Sequence, residues 1–428
     1  MKTLRFAVAA AAVLGCVSAF ATNARVESMG KNSTFIMDDI SIFDNPANIS
    51  LYPNFLIGEL GHYETLNPEQ GFNQDPLDPW FGGIFSLDIG GGNSLSIAGV
   101  LNRKEERLLK YFPDKISRSV TTPLDGKAPV SVTNFDGFLG ANFSNKAVGL
   151  HIYIAHQDGL DGNGKISNDA LVSALQLDGG INFELSNNYA IEVSGGAARI
   201  QYGPRDRNFF DGDLISGFAN ARLFSRLQAI GGHLIPVAAF RTMNALGRDE
   251  LDASLGLGVD AAFDRGFFWL GLNGFYNVQR AGSSWTQDAS GISTYHDIVG
   301  ETPWGAGSRT RLWQFGGTIS FGIERNIWWD WFVLRVGGQK TISYADYKAG
   351  NPDNVLCPSR ISCSEDGNYF ITNPVNDGTR NDNVGFGFGI NIEEKLKVDA
   401  TVAEDLVFRN PFQGEGRLIS RISATYSF

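Results

Sequence analysis

Segments in which apolar residues alternate with small or polar ones recur along almost the whole chain, and this period of two is the signature of strands with two unlike faces. Val148, Leu150, Ile152 and Ile154 alternate with Gly149, His151, Tyr153 and Ala155. Leu255, Leu257, Val259, Ala261 and Phe263 oppose Ser254, Gly256, Gly258, Asp260 and Ala262. Trp313, Phe315, Ile319, Phe321 and Ile323 oppose Gln314, Gly316, Thr318, Ser320, Gly322 and Glu324, and the stretch from Val384 to Ile392 repeats the pattern. After residue 21 nothing approaches the roughly 20 consecutive apolar residues that a membrane-crossing helix needs. A soluble sandwich alternates as well, so the pattern by itself leaves two architectures open.

The spacing of the segments favours a transmembrane antiparallel β-barrel, an all-β fold. Strands are expected near 54–63, 80–89, 94–103, 132–143, 146–156, 171–185, 188–202, 212–224, 229–242, 250–263, 266–279, 310–324, 327–343, 383–392, 395–408 and 415–428. Every second connection is then tight, as at Gly90-Gly91-Gly92-Asn93, Ser144-Asn145, Ser186-Asn187, Asp264-Arg265, Arg325-Asn326 and Glu393-Glu394, whereas 104–131, 280–309 and 344–382 are long. Short turns on one side and long loops on the other are the habit of outer-membrane barrels. About 16 strands are expected; the turn between the eighth and ninth is the least distinct, which leaves 14 as the other count. Aromatic residues beside two tight turns, Phe267-Phe268-Trp269 and Trp328-Trp329 with Trp331, suit the headgroup level of a bilayer.

The two ends of the chain agree with export. Lys2 and Arg5, the apolar run Phe6 to Phe20 and the small residues of Ala19-Phe20-Ala21 read as a signal peptide over residues 1–21, with Thr22 opening the mature chain. Cleavage before Cys16, as in a lipoprotein, is the lesser alternative. At the other end, Leu418, Ile422, Ala424, Tyr426 and Phe428 share one parity. This terminus resembles the carboxy-terminal signal by which bacterial outer-membrane barrels are recognised for insertion, with Tyr426 and Phe428 as its carriers. The resemblance implies outer-membrane lipid and the barrel-insertion machinery as partners and the cell outer membrane as the location. Without Lys2 and Arg5, 33 Lys and Arg stand against 46 Asp and Glu, a formal charge of −13 that argues against a nucleic-acid partner. Cys357 and Cys363 remain in a polar stretch and are read as a disulfide closing an exposed loop in an oxidising compartment, with half of a metal site as the rival reading.

Residues 22–50 do not alternate. They carry Asp38-Asp39-Ile40-Ser41-Ile42-Phe43-Asp44-Asn45-Pro46-Ala47, which resembles the amino-terminal segment of the FadL-type outer-membrane transporters, where an acidic pair precedes Asn-Pro-Ala. In that family this segment is a hatch inside the barrel, and hydrophobic molecules such as fatty acids pass through the lumen towards an opening in the wall. The resemblance implies a hatch-like segment over 22–50, a barrel over 51–428, and a hatch motif of Asp38, Asp39, Asn45, Pro46 and Ala47. Pro46 fixes its own φ and holds Asn45 extended, as a rigid turn or a bland turn before a strand requires.

Catalysis finds no constellation: the five histidines are scattered without the spacing of a helical zinc site, and no metal or cofactor is expected. His151 and Tyr153 have lumen-facing parity, as do the charged Asp88, Asp260, Glu324, Lys397, Asp399, Arg417 and Arg421, which would line a wet or plugged interior. The function expected is passive uptake of small, hydrophobic, fatty-acid-like molecules across the outer membrane. A general diffusion porin and a structural or secretion-associated surface protein are the alternatives.

Overall fold

A computed structural model of the chain describes residues 22–30, 32–36, 38–60, 79–105, 108, 130–160, 166–202, 214–245, 248–281, 310–348, 367–371, 383–393, 395–402 and 419–428. Among the described residues one short helix, α1 (Asn23–Ser28), and two 3-10 turns, Asp39–Phe43 and Pro46–Leu51, precede the strands. The strands are β1 (Phe55–Leu60), β2 (Trp80–Gly90), β3 (Asn93–Leu101), β4 (Val130–Phe143), β5 (Lys146–Leu160), β6 (Ile166–Ser186), β7 (Tyr189–Tyr202), β8 (Leu214–Leu227) and β9 (Gly232–Ala245). They continue with β10 (Arg248–Phe263), β11 (Gly266–Ala281), β12 (Thr310–Asn326), β13 (Phe332–Lys348), β14 (Gly367–Ile371), β15 (Asn383–Ile392), β16 (Leu396–Val402) and β17 (Ile419–Ser427).

Each strand pairs antiparallel with its neighbours, and the sheet closes where β1 meets β17, from Phe55 opposite Ser427 to Leu60 opposite Ile422. The ring holds 16 strands, because among the described residues β14 pairs with Ser343–Tyr347 at the far end of β13, while β15 pairs with the same strand lower down, at Phe332–Gln339. The uncertain turn between the eighth and ninth strands is real: β8 ends at Leu227 and β9 begins at Gly232, with Gly231 at a φ of 63°. Three other tight turns use left-handed backbone as well, at Ser144 (φ 57°), Arg265 (59°) and Glu393 (52°).

The distribution of burial separates the two architectures that alternation left open. In a soluble sandwich the apolar parity is the buried one; here Leu139, Leu150, Leu255, Leu272 and Ile319 are exposed, while Asp136, Asp178, Arg335, Thr341 and Asp399 at the opposite parity are buried. Closure leaves no edge to hydrogen-bond in hydrocarbon, and the outward apolar side chains are what acyl chains accept. Among the described residues no helix is long and apolar enough to cross a membrane.

The aromatic reading is corrected in part. Trp328, Trp329 and Trp331 are exposed beside the β12–β13 turn, the last two stacked at 5.1 Å. Of the other trio only Phe268 points outward. Alternation carries Phe267 and Trp269 to the inner face, where Trp269 is 1% exposed and lies 6.2 Å from the ring of Phe35.

Candidate functional site in the barrel lumen

Residues 22–52 lie inside the ring. Helix α1 packs against β13, β15, β16 and β17, whereas the second 3-10 turn packs against β3, β4, β5 and β6, a different sector of the 16-strand circle. Six residues are too few for a helix to persist alone, so α1 depends on its wall contacts and its cap. The Thr22 hydroxyl accepts from Arg25 N–H and donates to Asp399 Oδ2 at 3.0 Å. Arg25 then forks onto Glu324, with Nε and Nη2 at 2.8 and 2.7 Å from its two oxygens. Glu324 also accepts from Arg335 Nε at 3.0 Å, and Arg335 Nη1 donates to Asp399 at 2.7 Å. A buried chain of alternating charge thus fastens the start of the segment to three wall strands. Burial lowers the pKa of Arg25, but the adjacent Glu324 carboxylate more than compensates, so its charge is held above the ordinary range.

At that second sector the Asn-Pro-Ala motif meets a row of glycines. Gly140, Gly149 and Gly180 stand opposite one another on β4, β5 and β6, flanked by Ser96 on β3 and Ser194 on β7. A Cβ on Gly149 would lie 2.2 Å from the Pro46 carbonyl, one on Gly180 would lie 1.9 Å from Asn45 Oδ1, and one on Gly140 would lie 2.3 Å from Ile49. Only the bare backbone lets the turn sit against the wall. Asn45 caps it by accepting from Ala47 N–H at 3.1 Å and donates to Asn182 of β6, whose own amide donates to Asn48. Ser194 donates to the Asp44 carbonyl at 2.6 Å. Between the two anchors the ring of Phe35 fills the space over Gly258 and Gly271, and Arg222 of β8 donates to the carbonyls of Thr34 and Ile36 while paired with Glu192.

Beyond the glycine row the wall carries its own polar cluster. His151 lies between two carboxylates, Nε2 at 2.9 Å from Asp136 and Nδ1 at 2.7 Å from Asp178, with Phe138 stacked on its ring at 4.3 Å. Asp136 also accepts from Arg103, which pairs with Glu105 and rests over the ring of Phe43 at 4.0 Å. Tyr153 accepts from Glu105 N–H at 3.3 Å. Both imidazole nitrogens are engaged, an arrangement that clamps β4, β5 and β6 together.

The remaining sequence candidates are dispersed. Asp88 is exposed at the rim, where it accepts from Gly90 N–H at 2.7 Å, and Asp260 accepts from His233 N–H at 2.6 Å near the next tight turn but three. Arg421 pairs with Glu27 at 3.0 Å and Glu59 at 2.9 Å. Tyr426 and Phe428 face outward, Phe428 in ring contact with Phe85 at 5.6 Å. Arg417, Cys357 and Cys363 lie outside the described residues. Among the described residues no group of three or more His, Cys, Asp or Glu could hold a metal ion. Sequence reasoning missed Asp136, Asp178, Glu192, Arg222 and Arg335. All stand at inward parity in alternating strands, so a scan of that parity for charge finds them; Arg25 and Phe35, in a segment without periodicity, carry no such mark.

On the outer face of the same wall lies an apolar groove of about 1170 Å³, lined by Phe85, Leu87, Ile97, Leu139, Leu150 and Ile181 among others and backed by the glycine row. The strand ladder is continuous across it.

A closed, even-numbered antiparallel ring with an apolar exterior and a charged interior defines the chain as a membrane-spanning β-barrel of the outer-membrane kind. No family model matches the sequence, and no curated protein matches it. Solved structures similar to it include CdiB from Escherichia coli, at 9% identity and a TM-score of 0.41, covering 87% of this chain and 63% of that one. The chain therefore spans somewhat less than two thirds of the length of CdiB. A deltaS2 mutant of the monoaromatic hydrocarbon channel TodX is 11% identical with a TM-score of 0.38, covering 95% of this chain and 98% of that one. A bacterial polysaccharide outer membrane secretin is 9% identical with a TM-score of 0.39, covering 87% of this chain and 97% of that one.

Proposed function

We propose that this protein is an outer-membrane channel for passive uptake of small hydrophobic molecules, in which residues 22–52 act as a hatch that shifts to let a molecule by. The observation that carries the reading is the course of this segment, tied at one wall through Arg25 and Glu324 and at the other through Asn45 and Asn182. A segment that crosses the lumen argues against a freely conducting porin. Besides its chain connection to β1, its attachments are non-covalent among the described residues: polar contacts, glycine-backed packing, and apolar packing of Phe43 and Ile49 on Phe138 and of Phe35 on Trp269. The apolar groove behind the glycine row supports a hydrophobic cargo, because it offers such a molecule a resting place on the bilayer side of the wall.

A second reading, uptake of small polar solutes, is favoured by the inward Gln176, Asp252, Asn277 and Gln314, all buried. Liposomes containing the purified protein separate the two when offered a long-chain fatty acid, an aromatic hydrocarbon and a disaccharide in turn. The hydrophobic reading expects accumulation of one of the first two above protein-free liposomes and none of the disaccharide; the reverse order overturns it. Deletion of residues 22–52 tests the hatch: planar-bilayer conductance is expected to change from small or absent to large and steady. A barrel that stays assembled yet conducts no more after the deletion sinks the hatch.

A further inference from the structure

The acidic pair at the head of the first 3-10 turn is the least accommodated feature of the lumen. Asp38 and Asp39 are both wholly buried, and none of their four carboxylate oxygens has a hydrogen-bond partner. The N–H and hydroxyl of Ser41 both donate to the main-chain carbonyl of Asp38, and that N–H only slightly eases the carboxyl beside it. The closest cation is Arg25, whose Nη1 is 4.0 Å from Asp38 and itself without a hydrogen bond, its other nitrogens being held by Glu324. The Tyr52 hydroxyl, buried and also without a partner, has these two carboxylates as its main charged neighbours. The charged groups that act on the pair are Arg25 and Asp44 within the segment, Arg222 on β8, and Lys397 and Asp399 on β16; behind them Glu192 of β7 faces Tyr52 and Glu324 of β12 faces Arg25.

Two ionised carboxylates side by side, buried and without donors, are disfavoured by desolvation and by mutual repulsion. A proton removes both penalties. We propose that Asp38 and Asp39 form a proton-held latch: with the segment seated they retain a proton between them, and its loss favours withdrawal of the segment from the lumen. This rests on the reading of residues 22–52 as a movable hatch. In keeping with the geometry, burial raises Asp38 from 3.8 to about 7 and raises Asp39 well above its ordinary value. The sign follows. A carboxyl raised on seating stabilises the seated state fully below the unseated value, near pH 4, and that advantage is lost as pH rises to about 7. Below about pH 7 the seated-to-withdrawn ratio falls by up to about tenfold per pH unit for each carboxyl that keeps its proton on seating, and it flattens once both have lost theirs.

The test uses the whole mature protein in detergent or bilayer. Hydrogen exchange of residues 38–52, corrected for intrinsic rates, is followed from pH 4 to pH 9 alongside planar-bilayer conductance. The wild type is expected to lose protection and gain conductance as pH rises to about 7. Asp38→Asn with Asp39→Asn should remain protected throughout, while Asp88→Asn, at the exposed rim, should keep the wild-type slope. Where the double variant fails to assemble, Asp38→Asn alone serves: relieved of its like-charged neighbour, Asp39 should titrate lower and the window should shift down. An unaltered slope in the double variant, an unshifted window in the single one, or a wild type whose protection ignores pH overturns the latch. None of these outcomes touches the channel reading, which fails separately if deletion of residues 22–52 leaves conductance unchanged.

Discussion

A single atom decides whether the Asn-Pro-Ala turn can meet the wall. Gly149 and Gly179 are near neighbours in adjacent strands, yet a Cβ on Gly149 would strike Pro46 at 2.2 Å, while one on Gly179 would find its nearest atom, Leu150 Cδ2, at 3.9 Å. Gly149→Leu should therefore dislodge the turn at a cost of about 1–3 kcal/mol or more, since backbone on both sides cannot yield cheaply. Gly179→Ala should be close to neutral. Limited proteolysis of residues 38–52 in the two variants reads the difference, and equal cleavage rates would contradict the proposed contact. At this scale half of the site was legible. Asn45, Pro46 and Ala47 announce themselves as a rigid turn, but their partners are glycines, and an inward glycine reads equally well as empty lumen or as a seat for backbone. Only the partner's position tells the two apart.

Among the elements, legibility followed periodicity. The sixteen wall strands were readable because each repeats its alternation over 6 to 21 residues, and boundaries moved at strand ends away from the tight turns, as in β6, which begins at Ile166 rather than at 171. Neither α1 nor the 3-10 turns were readable as such, for a helix of six residues spans under two turns and has no pattern to repeat. Their order comes from the wall, through Arg25 on Glu324, Arg222 on the carbonyls of Thr34 and Ile36, and Asn45 on Asn182. A synthetic peptide covering residues 22–52 should accordingly show no helical circular dichroism in water, because nucleation is unfavourable and the tertiary contacts are gone. A stable helical signal from the free peptide would show that the segment folds by itself, and the dependence on the wall argued above would be wrong.

For the molecule as a whole, the inversion of burial is what fixes where it can reside. A belt of Leu, Ile, Val and Phe surrounds the barrel, and near its tight-turn end stand Trp328, Trp329 and Trp331. The cost of a charge on this surface depends on depth, since an arginine near the rim reaches water or headgroups while one at mid-height does not. Leu257 and its partner Leu272 on β11 are exposed well away from the turn, whereas Leu185 is exposed beside the turn that joins β6 to β7. Leu257→Arg should destabilise the folded barrel in lipid by about 2–4 kcal/mol and Leu185→Arg by about 0–1 kcal/mol. Reversible denaturant unfolding in bilayers measures both. In detergent micelles, which deform around a charge, the gap between the two variants should narrow. Equal costs in lipid would mean that the apolar belt does not face a hydrocarbon slab, and the membrane assignment would then have to be abandoned along with the channel built on it.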